Sequence, residues 1–203
     1  GTPVVPRGAG TGLSGGANAV AGCILLDLHK LDRILALDPV GRTATVEPGV
    51  LNGALDAAAR QHGLVYAPDP ASRAISTIGG NVATNAGGAC CLKYGVTGDH
   101  VVALRGLLAD GTPIATGSAP RKDVAGLDLT ALLVGSEGTL AVITEVTVRL
   151  LPAPPGVATL IAFFPDRASA GAAIVDLAGT GALSLLEVMD RTTLQAVEDL
   201  LHM

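Results

Sequence analysis

The sequence predicts an α+β fold built around an apolar core. Hydrophobic residues make up 49% of its 203 residues and charged residues only 15%, a balance that lets a chain bury a core instead of remaining disordered. Runs rich in β-branched residues predict strands, and apolar residues at helical spacing predict separate helices. The 27 glycines follow no three-residue period, which excludes a collagen-like fibre.

The first part of the chain is predicted to contain a long loop, three strands and one helix. Two prolines and several glycines forbid a continuous helix over residues 1–22, which are expected to form a loop. The strands are predicted at Cys23–Leu28, Ile34–Asp38 and Thr43–Glu47, the last two forming a hairpin. Apolar residues on one face predict a helix over residues 50–62, and Gly63 lies where a helix-ending glycine is favoured.

Two further regions follow this helix. After a glycine-rich stretch, a strand pair, a short helix and a β-rich run are predicted at Val101–Leu108, Thr112–Thr116, Leu127–Val134 and Thr139–Leu151. A cluster of three prolines beginning at Pro152 then predicts a boundary. Beyond it, strands and helices are predicted to alternate, at Val157–Phe164, Asp166–Leu177, Leu183–Met189 and Thr192–Leu201. The predicted regions are therefore residues 1–65, 66–153 and 154–203.

Charge and composition exclude several classes of function. The net charge is −5 and the 13 basic residues are scattered, which argues against a nucleic-acid partner. Every apolar run is broken well before the ~18–20 residues that a membrane span needs, so no span is predicted. The three cysteines form neither a disulfide framework nor a zinc motif, which favours a reducing, cytoplasmic location. Because residue 1 is Gly, the chain is expected either to begin within a longer protein or to have been processed.

A glycine-rich run from Pro3 to Gly16, the first segment, carries the earliest chemical signature. It contains the spacing G-x-G-x-x-G at Gly10, Gly12 and Gly15, but too few residues precede the next strand for the helix that a Rossmann fold requires. Successive unshielded backbone N–H groups can instead converge on an anion such as a diphosphate, with Arg7 as an added cation. A glycine-rich loop without a ligand is an alternative that this pattern leaves open.

Two more segments carry small polar residues between glycines. The second segment, Thr77–Gly88, offers hydrogen-bonding side chains without charge, which suits a neutral heterocycle and a polyol chain better than a metal. The third segment, Gly135–Thr144, is a polar turn before a strand whose backbone can hydrogen-bond a purine. Taken alone, a pair of tight turns and an ordinary helix–strand connection are the alternatives that these two patterns leave open.

Three glycine-rich segments in this order, with shorter motifs between them, are more specific than any one alone. The motifs are Pro6-Arg7-Gly8-Ala9-Gly10-Thr11-Gly12, Pro68-Asp69, Thr77-Ile78-Gly79-Gly80-Asn81, Asn85-Ala86-Gly87-Gly88, Lys93-Tyr94-Gly95 and Gly135-Ser136-Glu137-Gly138-Thr139. They resemble the FAD-linked oxidases, the flavoprotein family of vanillyl-alcohol oxidase and p-cresol methylhydroxylase. Residues 66–95 are most similar to the FAD-linked subunit of bacterial glycolate oxidase, with FAD-linked D-lactate and D-2-hydroxyglutarate dehydrogenases as near neighbours.

The resemblance implies an α+β fold of two subdomains with FAD between them, N-terminally incomplete, and the start of an α+β cap domain in residues 154–203. By motif, the FAD diphosphate would be cradled by Pro6, Arg7, Gly8, Ala9, Gly10, Thr11 and Gly12. The diphosphate and ribityl region would be held by Pro68, Asp69, Ser76, Thr77, Ile78, Gly79, Gly80 and Asn81. The cofactor would be lined on its opposite side by Thr84, Asn85, Ala86, Gly87 and Gly88. Its adenosine half would meet Glu137, Gly138, Thr139, Val142 and Ile143.

The implied FAD is expected to be non-covalent. Some members of the family attach FAD through a histidine of the first segment, where this chain has Thr11 and no histidine. The single histidines elsewhere are interpreted as surface or packed imidazoles. Cys90 and Cys91 lie beside the second segment and are interpreted as small buried side chains rather than redox groups.

The resemblance also implies a reaction, in which a 2-hydroxy acid of the glycolate or D-lactate type is oxidised to the 2-oxo acid by transfer of its Cα hydrogen to flavin N5. In relatives the base and the metal site lie largely in the cap and C-terminal region, so we assign no catalytic residue or metal ligand here and expect this chain alone to be inactive. Arg73, Lys93 and Arg121 are cations that can reach a substrate carboxylate, although solvated surface charge is the simpler interpretation.

Partner subunits of a glycolate-oxidase-like complex are expected alongside the small 2-hydroxy-acid substrate. Two other functions are compatible with the same resemblance. One is a flavin-binding subunit that passes electrons within a complex and has no substrate chemistry of its own. The other is an NADPH-linked flavin reductase, which keeps the fold and changes the reaction.

Overall fold

The computed structural model describes residues 1–118, 120 and 126–201, and it confirms the α+β class. The strands are β1 (Val4–Arg7), β2 (Ile24–Asp27), β3 (Ile34–Asp38), β4 (Thr43–Val46), β5 (Leu64–Val65), β6 (Val101–Leu107), β7 (Pro113–Gly117), β8 (Val142–Arg149) and β9 (Leu151–Pro152). The helices are α1 (Asn52–Arg60), α2 (Ile78–Thr84), α3 (Cys91–Tyr94), α4 (Leu129–Leu133), α5 (Arg167–Gly179) and α6 (Arg191–Leu201). A 3₁₀ turn covers Thr97–His100.

A five-stranded antiparallel sheet carries the core. Its strand order is β3-β4-β8-β6-β7, so β8 pairs with β4 on one side and with β6 on the other. Val46 and Val146 lie opposite each other on β4 and β8, and both are completely buried. Helix α1 buries Leu55 and Ala59, which are four residues apart and therefore share one helix face. The core thus lies between one face of the sheet and the helices packed on it.

Most strands and helices predicted before Pro152 are found close to their predicted bounds. They include the hairpin β3–β4, helix α1, the strand pair β6–β7, the short helix α4 and strand β8. The sheet takes β3 and β4 from residues 1–65 and its other strands from residues 66–153. It therefore crosses the boundary predicted between these two regions.

The loop predicted over residues 1–22 is wrong at its beginning, where β1 pairs in parallel with β2. The backbone carbonyls of Pro3 and Arg7 accept the N–H groups of Ile24 and Leu28 at 2.8 and 2.9 Å. Proline lacks an N–H donor but keeps its carbonyl, so a proline can occupy a strand at the edge of a sheet. The ladder to β2 is therefore compatible with the prolines that had suggested a loop.

The second segment contains helix α2, which the sequence did not predict. Thr77 caps its N-terminus by accepting a backbone N–H at 3.3 Å, and Asn85 ends it in a left-handed conformation with φ 48°. Glycine is required at Gly79, because a Cβ there would lie 2.5 Å from the Cβ of Pro48. The glycines that had suggested tight turns thus allow the helix to pack closely on the chain before α1.

Residues 154–201 contain the two predicted helices, α5 and α6, but not the two predicted strands. Asp166 and Asp190 cap these helices by accepting first-turn N–H groups at 2.8 Å, and these hydrogen bonds lower the pKa of both carboxyls. The strands predicted at Val157–Phe164 and Leu183–Met189 are wrong, since neither segment pairs with any described strand. A strand forms only beside a partner that takes up its backbone hydrogen bonds.

One buried carboxylate, Asp56 of α1, ties this helix to the chain that follows it. Asp56 is 3% exposed and accepts hydrogen bonds from Arg73 at 2.7 Å, from Arg60 at 2.9 Å and from the backbone N–H of Tyr66 at 3.1 Å. A buried carboxylate is tolerated only when its oxygens are bound in this way. Asp56 therefore fixes residues 66–73 against the helix.

We predict that Asp56→Ala lowers the free energy of unfolding by about 2 kcal/mol, because the buried N–H of Tyr66 then lacks an acceptor. Arg60→Ala removes one half-exposed partner of Asp56 and should lower the free energy of unfolding by less than about 1 kcal/mol. Urea denaturation followed by far-UV circular dichroism measures both values. Equal losses for the two variants would contradict the role given to the buried carboxylate.

Candidate cofactor-binding site

A cavity of about 530 Å³ opens where β1, α2 and the start of β8 meet. Its wall is formed by residues of the first, second and third segments, together with Ala17, Leu28, Pro48, Ala71 and Ser72. The three segments that the sequence singled out are far apart along the chain, and the fold brings them to one place. The volume lies in the range of about 300–1,000 Å³ that is usual for ligand and cofactor pockets.

Most residues implied by the resemblance lie in the cavity wall. They are Pro6, Arg7, Gly8, Ala9, Gly10, Thr11, Gly12, Thr77, Gly79, Gly80, Asn81, Thr84, Asn85, Ala86, Gly87, Glu137, Gly138 and Ile143. The implied residues that are absent from the wall are Pro68, Asp69, Ser76, Ile78, Gly88, Thr139 and Val142. Two of these, Ser76 and Ile78, are buried at 2% and 0% exposure.

Several glycines of the wall make contacts within the protein. A Cβ on Gly8 would collide with the hydroxyl of Thr77, and a Cβ on Gly138 would lie 2.7 Å from the ring of Pro6. Gly138 also has a positive φ of 74°, which glycine adopts without strain. These two contacts set the first segment directly against the second and third. Close packing of the segments therefore accounts for glycines that the sequence had related to ligand approach.

The first segment presents backbone donors that the protein leaves unused. No backbone N–H from residue 8 to residue 14 donates a hydrogen bond to any described residue, and all of these residues line the cavity. The first three N–H groups of α2, by contrast, are already bound within the protein. An anionic group in this cavity would therefore be held by the first segment rather than by the start of α2.

Asn81 provides an unused side-chain donor in the wall formed by α2. The residue is 3% exposed, and its Nδ2 atom has no hydrogen-bond partner among the described residues. A buried amide donor is costly unless a ligand or a water supplies an acceptor. This position fits a neutral ligand group that carries acceptor atoms.

The charged side chains in the described part of the wall are Arg7 and Glu137. The Arg7 guanidinium lies beside Gly10, with Nη2 3.2 Å from the position of a Cβ there, and makes no ion pair with a described residue. It places a positive charge next to the unused amides, where a diphosphate would be stabilised. Glu137 has a left-handed backbone, φ 54°, an uncommon conformation for a residue with a Cβ.

The cations considered for a substrate carboxylate do not lie in the described wall. Arg73 is bound to Asp56 by an ion pair of 2.7 Å, and solvent-exposed Lys93 has its ammonium 5.3 Å from the centre of the Tyr94 ring. Arg121 lies outside the described residues. Solvated or paired surface charge is therefore the better account of the two that are described.

The adjacent thiols of Cys90 and Cys91 are half-buried and free. The sulfur of Cys91 accepts a hydrogen bond from the backbone N–H of Gly88 at 2.9 Å. Partial burial, and secondarily the carboxylate of Asp69, raise the pKa of the Cys90 thiol to about 11. Cys90 is therefore protonated at neutral pH, which makes it a poor nucleophile.

Comparison with protein families identifies the family to which this chain belongs. A model of the FAD binding domain family matches residues 1–117, more than half of the chain. The chain therefore belongs to the FAD binding domain family. The match begins before β1 and contains the first two of the three segments.

Individual relatives are similar in sequence over nearly the whole chain. The glycolate oxidase subunit GlcD of Escherichia coli (strain K12) is 48% identical over 201 residues, which cover 98% of this chain and 40% of that protein. A D-lactate dehydrogenase of Archaeoglobus fulgidus is 41% identical over 196 residues, 97% of this chain and 44% of that protein. The chain thus spans less than half the length of these relatives.

A solved structure is similar in fold as well. Alkyldihydroxyacetonephosphate synthase aligns with a TM-score of 0.67 and 26% sequence identity, over 76% of this chain and 28% of that one. In the described part of the chain, no helix is long and apolar enough to cross a membrane. The same part holds no cluster of three or more His, Cys, Asp or Glu residues suited to a metal ion.

The described residues fit FAD in charge and in hydrogen bonding. The unused amides of the first segment and the Arg7 guanidinium match an anionic diphosphate. The buried Nδ2 of Asn81 matches a neutral part of the cofactor that carries acceptors. The donors thus divide between an anion-binding side and a neutral side of one cavity.

The wall also contains residues that were not among the individual predicted cofactor contacts. They are Leu13, Ser14, Gly16, Ala17, Leu28, Pro48, Ala71, Ser72, Ala83 and Ala141. Leu13, Ser14, Gly16, Ala83 and Ala141 lie within the three segments that the sequence singled out, and the others lie outside them. Pro48 and Ser72 carry no local signal. Pro48 packs against Gly79 of α2, and Ser72 precedes Arg73, whose carbonyl accepts the backbone N–H of Gly53 in α1.

We predict that Gly12→Val lowers the affinity for FAD at least about tenfold, the usual cost of overfilling a site. A Cβ on Gly12 would lie 3.7 Å from Cγ2 of Thr84, an ordinary contact, so the added side chain fits the protein but takes up cavity space. Gly156→Val is the matched control, since a Cβ there meets no atom within 4 Å and Gly156 is absent from the wall.

Titration of the flavin-free intact protein with FAD, followed by flavin fluorescence, measures this effect. Thermal unfolding without FAD should give similar midpoints for Gly12→Val, Gly156→Val and the wild type. Equal FAD affinities of all three proteins would show that Gly12 does not border the bound cofactor.

Proposed function

We propose that this chain is the FAD-binding part of an oxidoreductase that oxidises a 2-hydroxy acid, of the glycolate or D-lactate type, to the 2-oxo acid. The convergence of three glycine-bearing segments on one cavity with unused donors carries the proposal. The names of two relatives, a glycolate oxidase subunit and a D-lactate dehydrogenase, support the choice of substrate class. Since relatives from two organisms are described as subunits, partner subunits are part of the proposal.

The residues of this chain would bind and orient the cofactor. Bound FAD would supply a two-electron acceptor, N5 of its flavin, for the substrate's Cα hydrogen. The amides of residues 8–14 and Arg7 would hold the diphosphate, and Asn81 with residues 84–87 would face the flavin-bearing half. Residues 137–143 would meet the adenosine half. No residue of this chain is assigned as the base that takes the hydroxyl proton.

The cofactor would be held without a covalent bond. Thr11 lies in the cavity wall, and no histidine is among the described wall residues. The cysteine nearest in sequence to the second segment, Cys90, is protonated at neutral pH because burial and Asp69 raise its pKa. Affinity would then rest on the backbone donors and on shape.

We predict that the intact protein carries a visible flavin spectrum that is bleached, without oxygen, by glycolate or D-lactate. Reduction follows if the substrate's hydrogen passes to the flavin, and NADPH should leave the spectrum unchanged. Absorbance in the visible region measures both reactions, with the corresponding 2-oxo acids as controls. Bleaching by NADPH alone would favour a flavin reductase, and bleaching by neither would favour an electron-transfer subunit.

We predict further that acid precipitation of the intact protein releases all of its flavin into the supernatant. Denaturation removes the cavity, and no covalent bond would remain to retain the cofactor. Absorbance of the supernatant and fluorescence of the precipitated protein give the two fractions. Flavin that stays with the precipitate would refute non-covalent binding.

A further inference from the structure

The 3₁₀ turn holds the cavity-lining residues 85–87 from outside the cavity. Thr97 is completely buried and does not line the cavity. Its backbone N–H and its hydroxyl both donate to the backbone carbonyl of Ala86, at 3.1 and 2.7 Å. The N–H of the following Gly98 donates to the side-chain oxygen of Asn85 at 2.8 Å. The turn thus binds two successive residues of the cavity wall.

These bonds determine which backbone groups the wall can offer. The N–H of Ala86 donates to the carbonyl of Asn81 at 2.9 Å, so both backbone groups of Ala86 are occupied. Gly87 lines the cavity, and its N–H has no hydrogen-bond partner among the described residues. The carbonyl of Ala86 and the N–H of Gly87 belong to one planar trans peptide and point in opposite directions. Fixing the carbonyl therefore also fixes the N–H.

We propose that Thr97 is a positioning residue whose hydroxyl, by holding the Ala86 carbonyl, directs the Gly87 N–H toward the flavin-bearing half of bound FAD. The inference rests on the proposed function, because it takes FAD as the ligand of this cavity. Thr97 does not touch the cofactor, and its effect passes through the Ala86–Gly87 peptide. The donor it directs is a backbone group, so no side-chain motif marks it.

Nearby Tyr66 provides a contrast within the same buried region. Its ring packs edge-on against His100 of the 3₁₀ turn, with ring centres 6.2 Å apart. Its hydroxyl is buried and makes no hydrogen bond of good geometry with a described residue. Burial raises the pKa of Tyr66, and the neighbouring side chain of Thr97 partly opposes that rise. Tyr66→Phe removes this hydroxyl and leaves the hydrogen bond from Thr97 to Ala86 in place, so it tests whether the Thr97 hydroxyl acts through Ala86 or through Tyr66.

The test uses the intact protein, freed of flavin and titrated with FAD. Thr97→Val removes the hydroxyl and nearly keeps the shape of the side chain, whereas Thr97→Ser keeps the hydroxyl. Thr97→Ala and Thr97→Ser differ only in the hydroxyl. Comparing these two variants therefore gives the effect of the hydroxyl even if valine does not fit at position 97. Tyr66→Phe is the control. The readouts are the FAD dissociation constant, the visible circular dichroism of bound flavin and the thermal midpoint without FAD.

We expect Thr97→Val and Thr97→Ala to weaken FAD binding roughly three- to tenfold, the effect of one hydrogen bond, and to alter the flavin dichroism. Thr97→Ser and Tyr66→Phe should resemble the wild type in both readouts. Unchanged affinity and dichroism in the hydroxyl-free variants would overturn the inference, as would equal losses in Thr97→Ser or Tyr66→Phe. A wild type that binds no FAD would refute the proposed function and this inference together.

Discussion

The cavity depends on how closely the first segment approaches the second and third. Gly8 lies against Thr77 and Gly138 lies against Pro6, and a side chain at either glycine would push the segments apart. The wall is consequently built largely, though not entirely, from backbone and small side chains. A surface of this kind lets main-chain N–H groups, which are short and fixed in direction, reach a bound ligand.

Close packing also decides which donors stay free. The start of α2 is packed so tightly on the chain before α1 that its first N–H groups are all bound within the protein. The first segment also packs closely, through Gly8 and Pro6, but its N–H groups from residue 8 to residue 14 donate to no described residue and remain unused beside Arg7. On the other side, the buried Nδ2 of Asn81 offers a donor without charge. The division suits a ligand with an anionic part and a neutral ring, which is the chemistry of FAD.

Residues outside the cavity hold this arrangement in place. Asp56 accepts hydrogen bonds from two arginines and from the Tyr66 backbone, which fixes residues 66–73 against α1. Ala71 and Ser72 of this stretch line the cavity. The β-sheet supplies the third segment through β8, its central strand. Buried polar groups that are fully bound in this way resist rearrangement, because breaking one leaves an unsatisfied partner.

The sequence by itself determined the α+β class, the hairpin β3–β4, helix α1 and the glycine-rich segments, because these follow from local periodicity and turn chemistry. It missed β1 and α2, where Pro3, Pro6 and the paired glycines suggested irregular structure. It also predicted strands at residues 157–164 and 183–189, where alternating apolar residues have no described partner. Only the tertiary structure decided which N–H groups are occupied and that Pro48 and Ser72 line the cavity. Those outcomes depend on neighbours distant in the chain, which no local pattern specifies.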